Sequence, residues 1–166
     1  MLKRRIFSVI LVLTMLLPVA YAAQPAKDGM RGVWVSTVYN IDYPSAQGLS
    51  ADALKSEADA ILDNVAAMGL NTVFLQVRPS ADALYQSNLF PWSRYVSGTA
   101  GQAPDGNFDV LSYWVDAAHS RGLQLHAWLN PYRITRDGKE ELDSLPETSP
   151  AKQHPEWVVE YEGNYY

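Results

Sequence analysis

The sequence contains no cysteine, so neither a disulfide framework nor a lipid-modified N-terminal cysteine is open to it, and an apolar core has to hold the fold. It has no run rich in lysine or arginine, and its formal charge is −5, which argues against nucleic acid and against an anionic membrane surface as partners. Its three histidines, His119, His126 and His154, fall on different expected elements without ligand spacing. No metal and no cofactor is therefore assigned. It also lacks any apolar run as long as the roughly 18 to 20 residues that a membrane span needs.

The longest apolar run is at the N-terminus. Lys3, Arg4 and Arg5 precede an uncharged stretch from Ile6 to Leu17, then Pro18 and the small-residue pattern Ala20-Tyr21-Ala22. This order is that of a signal peptide over residues 1–22, with cleavage after Ala22 and no stable membrane insertion afterwards. The expected destination is outside the cytoplasm: periplasm, cell envelope or medium. Arg4-Arg5 loosely matches a twin-arginine signal, while the leucine-rich stretch favours general secretion. Loss of the three basic residues takes the formal charge to −8. Residues 23–30 read as a linker.

Two later segments nearly repeat each other. Residues 68–79, MGLNTVFLQVRP, and residues 121–132, RGLQLHAWLNPY, each place a glycine that stops a helix before an apolar strand. In the first, Val73, Leu75 and Val77 share one face, and Phe74, Gln76 and Arg78 share the other, because strand side chains alternate. In the second, Leu123, Leu125, Ala127 and Leu129 oppose Gln124, His126, Trp128 and Asn130. One face oily throughout, and the other turning polar toward the C-terminal end, suits a parallel barrel with helices outside and a ligand at its mouth.

A first strand is expected over residues 31–38. A helix from about Ala51, with Ser50 as N-cap, carries Leu54, Ala58, Ile61, Leu62, Val65 and Met68 on one stripe and stops at Gly69. A second helix, capped by Asp109, buries Leu111, Trp114, Val115 and Ala118 and stops at Gly122. Strands fall at 71–78 and 123–130. Strand, helix, strand, helix, strand with tight helix-to-strand joints is an α/β pattern of consecutive βα units in a parallel sheet. The long connections, 79–108 and 131–155, both follow strands, which puts function on that face. Near the end, residues 157–161 read as a strand or short helix, 162–164 as a turn, and Tyr165-Tyr166 as the opening of a returning strand. A closed eight-stranded barrel takes about 200 residues or more, so residues 31–166 are expected to be the N-terminal three βα units of a truncated (β/α)8 TIM barrel.

Trp34, Gln76, Arg78, His126, Trp128 and Asn130 are placed toward the barrel interior near its mouth. Gln76, Arg78 and His126 read equally well as a satisfied internal polar network. Arg31 is out of phase with Trp34 and suits a pairing at the barrel bottom. The loop after the second strand brings Asp82, Tyr85, Phe90, Pro91, Trp92 and Tyr95, an aromatic wall suited to the apolar faces of sugar rings. Trp92 can instead pin that loop to the barrel. After the third strand, Asn130, Tyr132 and Arg133 set an amide, a phenol and a guanidinium at the mouth, where Arg133 could bind a carboxylate. The candidate substrate-binding set is thus Trp34, Gln76, Arg78, Asp82, Tyr85, Trp92, His126, Trp128, Asn130, Tyr132 and Arg133.

Glycoside hydrolysis usually needs two carboxyl groups flanking the scissile bond, and none of the three strands ends in one. Asp42 and Asp82 are loop candidates whose ordinary role is turn or cap chemistry. Catalytic residues stay unassigned.

The ordered motifs Arg31-Gly32-Val33-Trp34, Gln76-Val77-Arg78-Pro79 with Asp82-Ala83-Leu84-Tyr85, Leu89-Phe90-Pro91-Trp92-Ser93, the run from His126 to Arg133, and His154-Pro155-Glu156-Trp157 resemble the bacterial glycosyl-hydrolase-like 10 family. The resemblance implies a TIM-barrel glycosidase of the cell envelope, with peptidoglycan glycan as the substrate of some members. It also implies a longer chain, continuing into an Asn/Asp-Pro-Gly segment and a later strand ending in paired aspartates. Neither is present in these residues. The resulting expectation is the N-terminal part of an exported glycoside hydrolase acting on a cell-wall glycan, inactive alone. The alternative is a non-catalytic carbohydrate-binding module.

Overall fold

The computed structural model describes residues 29–166. The signal peptide, and the linker up to residue 28, lie outside the described residues. Three parallel strands form one sheet in the order β1 (Gly32–Val35), β2 (Thr72–Arg78), β3 (Gln124–Leu129). Helix α1 (Ala51–Ala67) connects the first pair and α3 (Val110–Ser120) the second, with a single-turn helix, α2 (Arg94–Ser97), in the long connection before α3. The result is a mixed α/β fold with a parallel sheet.

The capping expectations hold. Ser50 accepts a hydrogen bond from the Ala53 N–H at 3.2 Å, and Asp109 accepts one from Ser112 at 2.9 Å, each satisfying a backbone donor of the first turn. Gly69 and Gly122 follow the two helices at φ of +72° and +70°, a conformation that costs glycine nothing and turns each helix directly into its strand. Val73, Leu75 and Val77 are fully buried against Leu54, Ala58, Leu62 and Val65 of α1 and against Trp114 and Ala118 of α3. Tyr43 closes this core by meeting the Trp114 ring edge to face at 4.9 Å. Met68, expected on the buried stripe, is 64% exposed, because the stripe runs out where the helix ends.

β1 is shorter than the expected 31–38. Beyond Val35 the ladder is replaced by side-chain acceptors: Asp42 Oδ2 takes the Ser36 N–H at 2.7 Å, and Gln76 Oε1 takes those of Thr37 and Val38 at 2.9 Å. The chain then makes one 3-10 turn over Val38–Asn40. At the other end of the strand, Arg31 is tied to the sheet bottom, donating from Nε to the Gly69 carbonyl at 2.9 Å.

The oily face assigned to the third strand is only partly covered. Leu123 is buried, but Ala127 and Leu129 are exposed, Leu129 by 46%. β3 is an edge strand among the described residues, paired with β2 on one side. The two long connections are also more ordered than plain loops. The second contains α4 (Gly138–Ser144) and α5 (Pro150–Gln153), followed by the antiparallel pair β4 (Glu160–Tyr161) and β5 (Asn164–Tyr165). The expected turn at 162–164 is made by Glu162 and Gly163 alone, with Asn164 already in β5, and the Tyr165 carbonyl accepts the Ile134 and Thr135 N–H groups. No helix among the described residues is long and apolar enough to cross a membrane.

Candidate functional site at the strand C-terminal ends

All three strands point their C-terminal ends the same way, and the segments that follow them converge there. The face opposite the core carries an aromatic run across the sheet. Trp34 stacks on Phe74 at 4.4 Å and meets Trp128 edge-on at 5.3 Å, while Phe74 contacts the His126 ring at 5.0 Å. Register explains this alignment, since Trp34, Phe74 and His126 are direct neighbours on adjacent strands. Gly32 lies below them for a steric reason, because a Cβ there would stand 2.7 Å from the Phe74 ring.

Nearer the mouth, several candidates are engaged within the chain. Gln76 is fully buried, and its side-chain oxygen holds the segment after β1, leaving its Nε2 without a partner. Asn130 accepts from Trp128 Nε1 at 3.1 Å and donates to the Pro79 carbonyl at 3.0 Å, so it fixes both the indole and the chain leaving β2. Asp42 and Asp82 do turn chemistry. Asp82 is buried and accepts the Ser80 N–H at 2.8 Å. Burial pushes its carboxyl above the usual range, against the opposing hydrogen bonds from Ser93 and Ser80. Tyr85 packs half-buried on the core, and Trp92 is half-buried beside a backbone bridge between its own strand-like segment and Ala83.

Arg78 and the residues after Asn130 open onto a cleft of about 570 Å³. Arg78 lays its guanidinium over the Phe90 ring at 3.6 Å. Arg133 donates to the Pro79 carbonyl at 3.4 Å, and Tyr132, 80% exposed, stands at the rim. The far wall comes from α5 and the turn after it, where His154 stacks on Trp157 at 3.8 Å. Of the sequence candidates, this cleft gathers Arg78, Tyr132 and Arg133. Trp34, Gln76, His126 and Trp128 lie on the sheet face instead, outside its lining.

A second cluster was not legible in the sequence. Arg94 Nη2 lies 2.6 Å from Asp137 and 3.2 Å from Glu141, and Asp137 accepts the Tyr39 hydroxyl at 2.5 Å. The Tyr39 hydroxyl, and after it Arg94, hold the Asp137 carboxyl below its ordinary range. Glu141 is buried and also receives the Arg136 and Asp137 N–H groups. Tyr39 comes from the segment after β1, Arg94 from that after β2, and Asp137 and Glu141 from that after β3, so no local spacing announces them. The cluster locks the three segments together. Among the described residues, no group of three or more His, Asp or Glu could hold a metal ion.

In chemical terms the face offers flat aromatic surface and two guanidinium groups that have no carboxylate partner among the described residues. These suit binding of a hydroxylated ring compound, while the carboxylates close to it are already occupied by donors of the chain. Comparison with known proteins agrees with this character. Residues 29–165 match the family model described as glycosyl hydrolase-like 10. The chain is 42% identical over 154 residues to glycosyl hydrolase YngK of Bacillus subtilis, covering 92% of this chain and 30% of that protein. It is 36% identical over 149 residues to glycosyl hydrolase DigH of Escherichia coli K12, covering 81% of this chain and 34% of that protein. The chain thus spans about a third of the length of these relatives. On the match across nearly all its described residues, the chain belongs to the glycosyl hydrolase-like 10 family.

Proposed function

We propose that this chain forms the N-terminal part of an exported glycoside hydrolase acting on a bacterial cell-wall glycan, and that its three βα units begin a TIM barrel. The carrying observation is the cleft at the strand C-terminal ends, walled by Phe90, Tyr132 and Trp157 and carrying Arg78 and Arg133, with no strand-end carboxylate beside it among the described residues. Such a surface binds and orients a glycan, whereas hydrolysis needs an acid and a base or nucleophile as well. In this reading those carboxyls come from later strands of the barrel, and the described residues alone are inactive. The coverage of about a third of YngK and DigH supports that division. The leader-like residues 1–22 support export. The test is release of reducing ends from purified peptidoglycan glycan by a form of the protein that carries a complete barrel.

One observation favours a second reading, a carbohydrate-binding module without catalysis. Trp34, Tyr132 and Trp157 are all at least 60% exposed, an arrangement that suits ring stacking without any reacting group. Circular dichroism during heating separates the two. A cooperative transition of residues 23–166 supports the module. Its absence supports a barrel portion whose open β1 and β3 edges need further strands.

A further inference from the structure

We infer that the cleft between the segments after β2 and β3 is a subsite for a sugar unit that carries a carboxylate, with Arg78 and Arg133 as the groups that read the charge. This rests on the glycan reading above and deepens it.

The argument begins with charge balance. The cleft has two arginines in its lining and no Asp or Glu. Among the described residues, no carboxylate lies within ion-pairing distance of either guanidinium, although Arg94 and Arg121 nearby in sequence are each paired twice. Asp82, the buried carboxylate whose field reaches Arg78, is turned to the Ser80 N–H, and that field is the weakest of the influences on it. Glu156, next to the far wall, faces His154 at 3.2 Å. Two half-buried guanidinium groups with no carboxylate partner among the described residues attract an anionic group of a ligand.

Geometry adds to charge. Arg78 rests over the Phe90 ring at 3.6 Å with its Nε buried, and no chain group among the described residues bonds its two Nη groups, which are the donors a ligand can meet. Arg133 is anchored by one Nη to Pro79, which leaves its other donors for a ligand. A guanidinium fork matches a carboxylate through two parallel hydrogen bonds, which a lone sugar hydroxyl cannot reproduce. The aromatic walls at Phe90 and Trp157 supply ring-stacking surface on either side of that charge. A cleft of about 570 Å³ has room for one or two sugar rings. An acidic peptide would need backbone partners along an extended groove; the compact aromatic walls favour a saccharide.

The test compares the free acid and the methyl ester of one disaccharide containing N-acetylmuramic acid, titrated by calorimetry at low ionic strength into a form of the protein carrying a complete barrel. The acid is expected to bind at least about tenfold more tightly than the ester, with the preference shrinking as salt is added. Arg133→Gln and, separately, Arg78→Gln should each weaken binding of the acid and shrink its preference over the ester, and the double variant should remove that preference, with the circular dichroism spectrum unchanged. Arg133 is the safer of the two variants, because its side chain is not part of the packed Phe90 contact. Equal binding of acid and ester would overturn the carboxylate subsite and leave the glycan reading standing. Failure of both sugars to bind would overturn the two together. A preference for the acid that survives both substitutions would also overturn the assignment to these arginines.

Discussion

The side-chain oxygen of Gln76 accepts the backbone N–H of Thr37 at 2.9 Å, and that of Val38 at the same distance. A residue of β2 therefore ends β1 and aims the segment that follows it. Gln76→Leu keeps the volume and removes the acceptor, leaving two buried N–H groups unsatisfied. We expect a loss of about 2 to 4 kcal/mol, read as a lower urea midpoint in a complete-barrel form of the protein. An unchanged midpoint would mean that water replaces the amide.

Asn130 serves both Trp128 and Pro79. Asn130→Ala removes both hydrogen bonds at once, and we expect about 1 to 3 kcal/mol of destabilisation together with faster hydrogen exchange at the end of β2. Weaker glycan binding should follow indirectly, through a freed Trp128 indole. If binding fell while stability and exchange stayed constant, Asn130 would be contacting the glycan itself.

Asp82 gives a pH test with a definite sign. Its folded-state carboxyl titrates above the ordinary range because it is buried. Ionisation of Asp82 thus opposes folding, and this cost is absent below the unfolded value of about 4 and grows as pH rises toward the folded value, then stays constant. Asp82→Asn retains an oxygen for the Ser80 N–H and carries no charge. The variant should gain stability relative to the parent as pH rises above about 4, measured by paired denaturant titrations. A gain that grew toward acid instead would reverse the assignment.

Arg78 stands apart from these, since among the described residues no group accepts a hydrogen bond from its guanidinium, which rests on the Phe90 ring. Arg78→Ala should weaken glycan binding or turnover by roughly tenfold to a hundredfold, the size of one or two charge-assisted hydrogen bonds, with little change in melting temperature. A collapsed melting temperature with normal kinetics in the remaining folded protein would make Arg78 structural.

What could be read in the sequence was whatever depends on local spacing. The Ser50 and Asp109 caps, the glycines after the helices and the alternation of Val73, Leu75 and Val77 are short-range features, and each took its expected place. Alternation also set Gln76 and Arg78 on one face, but it carries no information about which polar group a neighbouring segment will claim. Gln76 went to the backbone after β1, and Arg78 to an aromatic ring. The exposure of Ala127 and Leu129 was hidden for a related reason, since strand patterning marks an apolar face but does not say what covers it at an edge strand. The Tyr39, Asp137, Arg94 and Glu141 cluster joins segments distant in sequence, and only the folded chain brings them together.

The central claim is that this chain provides the glycan-binding side of a hydrolase whose reacting carboxyls lie on other strands. The most direct measurement follows purified peptidoglycan glycan with residues 23–166 alone and with a form of the protein carrying a complete barrel. The account expects release of reducing ends by the complete form only, with that release depressed by Arg78→Ala. Reducing ends released by residues 23–166 alone, or neither binding nor release by the complete form, would contradict it.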